Sequence, residues 1–581
     1  MAIEHLPPGL ILIAGALLLP FAGTRLRAIL VLGLPLLTLW HVWTIPAGTL
    51  LNIPFLGYEL RVIEVQTGDY AHLGNLSRLF GIVFAIMAFA GGLFALKHAK
   101  TRELAAAFAY AGSAIGVAFA GDLITVFVFW EMMAIGSTIV IWSADGDASR
   151  KSGMRYIVLH LLGGVVFMAG IAGYVAQNDS IAFVSMTIPL EEGHISAWLI
   201  LAGFLINAGA PPLSAWLPDA YPESSSTGMV FLSAFTTKTA VLVLWRGFPG
   251  ADILIWVGLY MVFYGIIYAL LENDMRRILA YSIINQVGFM VCGIGIGTTM
   301  ALNGAAAHAF THIIYKALLL MSAGAVLYMT GKRKCTDLGG LFQSMPLTTL
   351  CGTIGALAIS SFPLTSGFVS KSMISQSAAN EHLAIVWFLL MAASAGVFLH
   401  AGIKFPWFVF FQKDSGLRPP DPPWNMRIAM IFFAVLCVLI GVWPTPLYDL
   451  LPYAMSGSDP NRVSYEPYTG AHVVEMLQLL LFSGLAFFVM LPQMKRTLTI
   501  SLDVDWFWRR FGAMFAREFA TRGTKARGRV AERLEQRLDR FLWAVFHLHG
   551  PKGILARTWD TSVATVLIAV LLAIYLIVYY V

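Results

Sequence analysis

A chain of 581 residues that is 58% hydrophobic and only 12% charged lies outside the soluble globular range and reads as a polytopic membrane protein. Its formal charge of +6 does not point to nucleic acid, because lysine and arginine are scattered in short loops between apolar runs and gathered only near the C-terminus.

Apolar runs able to cross a bilayer, about 20 residues each, fall at 8–23, 27–46, 76–96, 104–120, 123–142, 155–176, 196–212, 225–247, 252–271, 277–297, 302–329, 347–378, 384–411, 427–444, 472–492 and 560–581. The expected fold class is therefore an all-α membrane protein of about sixteen transmembrane helices. The N-terminal MAIEHLPPGL has an acid and no basic residue before its apolar run, so the first segment is expected to be a retained helix rather than a cleaved signal peptide. Basic residues alternate between loops: Arg25 and Arg27; Lys97, Lys100 and Arg102; Arg150, Lys151 and Arg155; Arg276 and Arg277; Lys332, Arg333 and Lys334; Lys413, Arg418 and Arg427; Lys495 and Arg496. These mark the cytoplasmic loops and place both termini outside.

Two runs are interrupted. GFLINAGAPPLSAWLPDAYPES carries Pro211 and Pro212, and ALAISSFPLTSGFVSKSMIS carries Pro363 and Gly367. Proline removes a helix donor and clashes with the preceding turn, and irregular backbone at membrane depth persists only where protein buries it or it lines a cavity. The breaks fall in spans seven and twelve, five apart, which points to inverted repeats with a path at the breaks. The plain alternative is two accidental proline kinks.

Ionisable residues inside spans come next, because each costs on the order of 2.5–3.5 kcal/mol at mid-depth and is by default functional. Glu131 lies in span five, Lys238 in span eight, and Lys371 just after the second break. Span eleven, GAAAHAFTHIIYKALLLMSAGAVLYM, carries His308, His312 and Lys316. At i, i+4, i+8 they drift only about 80° around a helix and form one titratable stripe. A lone histidine is more often a hydrogen-bonded core residue, and a lysine can snorkel; three on one face favour a proton or cation relay. No phosphate-binding loop, nucleophile elbow or zinc motif is present. The four cysteines, Cys292, Cys335, Cys351 and Cys437, lack CxxC or metal-ligand spacing, so neither cofactor nor metal is expected.

The tail differs from the rest. From Asp503 to His549 it is basic and aromatic, with Val530, Leu534, Leu538, Leu542 and Val545 at helical spacing. An amphipathic helix on the cytoplasmic membrane surface or along a partner is expected, interrupted at Gly523 and Gly528, followed by a terminal anchor helix.

FVFWEMM around Glu131, SAWLPDAYPES from Ser214, TTKTAVLVLWR around Lys238, NDMRRILAYSIINQVGF from Asn273, HAFTHIIYKALLLMSAG from His308 and FPLTSGFVSK ending at Lys371 resemble one family. It is that of the antiporter-like subunits shared by complex I, membrane-bound hydrogenases and Mrp-type cation/proton antiporters, over roughly residues 70–445, with a wording similar to the D-type component of the Mrp antiporters. The resemblance implies two inverted five-helix repeats, spans four to eight and nine to thirteen. It implies a relay in which Glu131 modulates the first half-channel, Lys238 links to the centre, His308, His312 and Lys316 form the centre, and Lys371 is the exit lysine. The family's lysine in the broken seventh helix corresponds here to Asn207, which leaves Glu131 without its expected cation. The implied function is a proton-translocating component of a multi-subunit Na+/proton antiporter in a bacterial inner membrane, with other membrane subunits, protons, Na+ and lipid as partners. A redox-driven complex I-like or hydrogenase-like pump and a non-transporting scaffold are the alternatives. The expected organisation is N-terminal helices at 1–100, half-channels at 101–250 and 251–415, C-terminal helices at 416–500, the amphipathic helix at 501–550 and the anchor at 551–581.

Overall fold

A backbone that runs through hydrocarbon must satisfy its own hydrogen bonds, and helices do so within one segment. The computed structural model is helical along most of its length and describes residues 6–455, 462–492, 503–551, 553–556 and 558–580. The expected basic pair Lys495 and Arg496 lies outside the described residues. The chain divides into two units, Met1–Asp503 and Val504–Val581.

The first unit opens with α1 (Pro8–Leu18) and α2 (Thr24–Thr44), joined by an antiparallel hairpin, β1 (Leu50–Phe55) and β2 (Tyr58–Glu64), to α3 (Ala71–Ala95). Two five-segment blocks follow. The first holds α4 (Thr101–Phe119), α5 (Leu123–Trp142), α6 (Asp147–Asn178), a broken helix made of α7 (Ile195–Ala208) and α8 (Trp216–Ala220), and a second broken helix made of α9 (Gly228–Leu232) and α10 (Thr236–Gly247). The second holds α11 (Ile253–Leu271), α12 (Met275–Ile296), α13 (Thr299–Thr330), the broken pair α14 (Pro346–Ile359) and α15 (Phe368–Asn380), and α16 (Ala384–Val397). The last two long helices described in the unit are α17 (Trp424–Val442) and α18 (Gly470–Val489). Among the described residues of the whole chain, twelve helices are long and apolar enough to cross a membrane, and the apolar helices at 8–21, 195–208 and 346–359 are shorter.

The two blocks are copies of one plan, offset by 152 residues. Helices α4 and α11 start at 101 and 253 and end at 119 and 271; α6 and α13 start at 147 and 299 and end at 178 and 330. The N-cap of α5 is Asp122, whose carboxylate accepts from Thr125 N at 2.8 Å; that of α12 is Asp274, which accepts from Arg276 N at 2.9 Å. Each capping aspartate forms an isolated antiparallel bridge, Asp122 with Ala182 and Asp274 with Lys334, again at the same offset. Side-chain oxygens at these caps satisfy donors that a helix N-terminus leaves orphaned. Close approach repeats too: Gly136 packs on Ala106 and Tyr110, and Gly288 on Gly258 and Val262. Five crossings per block put the start of the second copy on the opposite side of the membrane, so the repeats are inverted.

The proline breaks share one backbone design. Gly209 and Ser361, both left-handed with φ of 79° and 59°, donate to Ile206 O and Ala358 O at 3.1 Å. Ala210 and Phe362 then donate to Leu205 O and Leu357 O at 3.0 and 3.1 Å, and Leu213 and Thr365 to Ala210 O and Phe362 O at 3.2 Å. Helix α7 ends at Ala208, ahead of Pro211 and Pro212, and α14 ends at Ile359, ahead of Pro363.

Two expectations are corrected. The run at 225–247 is not one helix but breaks at Ser233–Phe235, where no proline or glycine signals it. In the second unit, the helix α19 (Ala513–His549) runs unbroken through Gly523 and Gly528. A glycine costs a helix about 1 kcal/mol, which is too little to stop a 37-residue segment rich in Ala, Arg, Glu and Leu. This helix spans about 55 Å at 1.5 Å per residue, with Val530, Leu534, Leu538 and Leu542 all exposed, and is followed by the terminal helix α20 (Thr561–Tyr580).

Candidate functional site

Helix α13 is buried along nearly its whole length, and His308, His312 and Lys316 are each fully shielded. His308 is held on both ring nitrogens. Its Nε2 lies 3.0 Å from Gln286 Oε1 of α12, an acceptor, so Nε2 carries the proton; Nδ1 is left to accept from Ser370 Oγ of α15 at 3.2 Å. Gln286 Oε1 also accepts from Tyr315 at 3.1 Å, and Thr311 bonds Ser370 at 2.8 Å. One turn on, both nitrogens of His312 and the Nζ of Lys316 have no hydrogen-bond partner among the described residues. The His308 and His312 rings are 6.2 Å apart, and Tyr315 meets His312 edge-on at 5.2 Å.

Lys238 and Lys371 approach this stripe from either repeat, and each addresses the carbonyl end of an interrupted helix. Lys238 Nζ donates to Ser233 O at 2.6 Å and to Thr237 Oγ1 at 3.1 Å. Ser233 O is available because the helix breaks there, and the negative end of a half-helix favours a cation. Lys371 Nζ makes a longer contact, 3.5 Å, to Ile359 O at the end of α14 and lies over the Phe289 ring at 5.3 Å. Lys238 acts electrostatically on His308, His312 and Lys316, and Lys371 acts on His308. The structure therefore brings five of the six expected relay residues into one buried group. Glu131 stands apart on α5, half-buried, with Oε1 shielded and no charged side chain among the described residues acting on it.

Asn207, buried on α7, is engaged with a residue that sequence reasoning missed. Its Oδ1 lies 2.6 Å from Nδ1 of His160 on α6. His400 was missed as well, although VFLHAGIKF displays it beside Lys404 in an apolar run. It sits in a π-helical turn, Phe398–Lys404, with Nδ1 on Gly396 O at 2.8 Å, and Lys316 and Lys371 both act on it electrostatically. Such turns widen a helix and often mark functional positions. The signal for Gln286, Ser370 and Thr311 was weaker, because uncharged residues in apolar runs do not reveal which histidine they face.

Lys371 is followed by Ser372, whose hydroxyl pairs with Tyr465 at 2.7 Å at the edge of a cavity of about 360 Å3. Glu466, His472 and Glu475 line that cavity.

Titratable residues gathered between two inverted five-helix repeats, with a lysine at each flanking helix break, define an antiporter-like class of polytopic membrane protein. Residues 120–399 match the family described as NADH:quinone oxidoreductase/Mrp antiporter, TM. That segment, just under half of the chain, carries the family's sequence pattern, and proteins similar to this chain include components of complex I and of Mrp antiporters.

Its relatives include the A/B component of a probable K(+)/H(+) antiporter of Rhizobium meliloti, 29% identical over 59% of this chain and 36% of that protein. Hydrogenase-4 component B of Escherichia coli is 26% identical over 68% of this chain and 65% of that protein. The D component of the Na(+)/H(+) antiporter of Alkalihalophilus pseudofirmus is 28% identical over 58% of this chain and 71% of that protein. The chain thus spans about a third to two thirds of the length of the first two. One chain of the archaeal membrane-bound sulfane sulfur reductase has the same fold, with a TM-score of 0.71 and 22% identity, covering 99% of this chain and all of that one.

Proposed function

We propose that this chain is the proton-translocating component of a multi-subunit monovalent cation/proton antiporter, exchanging Na+ for protons across a bacterial inner membrane. The single observation that carries the reading is the cluster of buried titratable groups drawn from both repeats, Lys238, His308, His312, Lys316, His400 and Lys371, which act on one another electrostatically. Buried polar groups without a protein partner among the described residues, such as His312 and Lys316, call for water, and water there would make the cluster a proton path. In a low-dielectric core two ammonium groups in reach of each other cannot both hold a proton cheaply. A proton arriving at Lys238 therefore displaces one from Lys316 toward Lys371. The cavity lined by Glu466 and Glu475 is the outward mouth of that path. Residues 101–250 and 251–415 form the two half-channels, and the helix at 501–550 with the anchor at 551–581 braces neighbouring subunits.

Antiport is tested in everted vesicles carrying the whole complex: added Na+ should collapse an imposed proton gradient, and K+ serves as the comparison. A gradient that responds to neither cation counts against antiport. A second reading, a component of a redox-driven pump, is favoured by the longer stretch of this chain that hydrogenase-4 component B matches. Purification in mild detergent separates the two, since small antiporter subunits accompany the first and iron–sulfur or nickel–iron subunits the second.

A further inference from the structure

The 152-residue offset places His160 of α6 at the position that His312 occupies in α13. Both are fully buried, and both stand mid-helix in the corresponding element of the two repeats. His160 is held in a defined orientation. Asn207 Oδ1 is an acceptor, so Nδ1 carries the hydrogen of their 2.6 Å bond and the neutral ring presents a bare Nε2. That Nε2 is buried and has no partner among the described residues. Tyr156 packs on the ring at 4.0 Å and Trp216 meets it edge-on at 4.7 Å, which fixes its plane.

One turn along the same helix face lies Gly164, where any side chain would collide with Glu131 Oε1. That Oε1 is likewise shielded and has no partner among the described residues. At the neighbouring Gly163 an added Cβ would press on Ile206 at 3.2 Å and stay in ordinary contact, 3.8 Å, with Asn207 Oδ1. Gly164 therefore keeps the wall of α6 clear for the acid one turn from the histidine. From the histidine's neighbourhood a row of hydroxyls leads on. Tyr156 bonds Ser137 at 2.9 Å and reaches Thr236 at 3.5 Å, and Thr236 precedes Thr237, the residue on which Lys238 rests.

We infer that His160 is the proton-carrying group of the first repeat, exchanging a proton with Glu131 and serving there as His312 serves in the second repeat. The inference rests on the transport reading above. In the exchange the Glu131 carboxylic acid becomes a carboxylate, Nε2 accepts its proton, and the ring becomes an imidazolium with one N–H on Asn207. The reverse step restores two neutral groups. Asn207 is a positioning residue that selects the tautomer, and a lysine in its place would put a titratable ammonium at the same spot.

The test uses the assembled complex in proteoliposomes, with proton flux followed by an internal pH dye. His160→Gln keeps size and polarity but carries no proton, and it should lower flux at least tenfold, as should Glu131→Gln. Adding Asn207→Lys to His160→Gln should restore at least a third of the lost flux, a rescue that a merely structural histidine would not give. Flux within twofold of the parent in His160→Gln, or a loss that Asn207→Lys leaves unrepaired, overturns the inference. Lys316→Ala run alongside separates the two levels. If it abolishes flux while His160→Gln does not, only the role of His160 fails; if both conduct, the transport reading fails with it.

Discussion

At the residue scale, function depends on which buried polar groups are paired. Gln286 holds the central histidine by one nitrogen and Tyr315 by its hydroxyl. Gln286→Leu would leave both donors unsatisfied in the core, at a cost of about 1–3 kcal/mol. A lowered melting temperature together with slowed proton flux is expected; unchanged values for both would mean that Gln286 neither orients His308 nor stabilises it. The charged members of this group were legible in the sequence, because lysine and histidine stand out in apolar runs and carry a known cost there. Gln286 and Ser370 were not, since their importance arises only when three helices converge on one ring. His160 is hidden for a different reason. Alone in YIVLHLLGG it looks like a core histidine, and its significance appears only when the two repeats are aligned on their shared offset.

At the element scale, the sequence exposed the breaks that use proline and concealed the one that does not. Ser233–Phe235 interrupts a run of good membrane residues, and the reward for the break is tertiary, a carbonyl offered to the buried Lys238. The proline breaks also differ in how well each is built. Where the first repeat turns through Gly209 at φ 79°, the second uses Ser361 at φ 59°, a conformation that favours glycine. Ser361→Gly should therefore stabilise the protein by about 1 kcal/mol, read as a raised melting temperature, whereas a lower one would mean that the side chain makes a contact outweighing the strain. The converse holds in α19, where two glycines look like interruptions and are not. Gly523→Ala and Gly528→Ala should each favour the helix by about 1 kcal/mol, seen as greater helicity of a peptide covering 513–549 by circular dichroism. No gain would show that this helix is not limited by its own propensity.

At the scale of the whole molecule, repeat architecture, membrane character and family were all readable from runs, breaks and motifs, because each is a property of pattern rather than of contact. The charged rim obeys simpler electrostatics. On the loop after α5, the exposed Asp145 is paired with Arg102 and Lys100, whose hydrogen bonds hold its carboxyl down at about 2. A depressed folded value means stability that is present above the unfolded value of about 3.9 and lost as pH falls through about 2. Asp145→Asn should therefore melt below the parent above pH 4, with the gap closing toward pH 2 and shrinking in high salt. A gap that does not change with pH would assign it to packing rather than charge.

The central claim is that the buried axis between the repeats carries the protons, and Lys316 is its middle member. The most direct measurement is proton flux through the assembled complex in proteoliposomes with Lys316→Ala, after gel filtration has shown that the complex is intact. Loss of flux by at least tenfold is predicted; an intact complex with full flux would contradict the account.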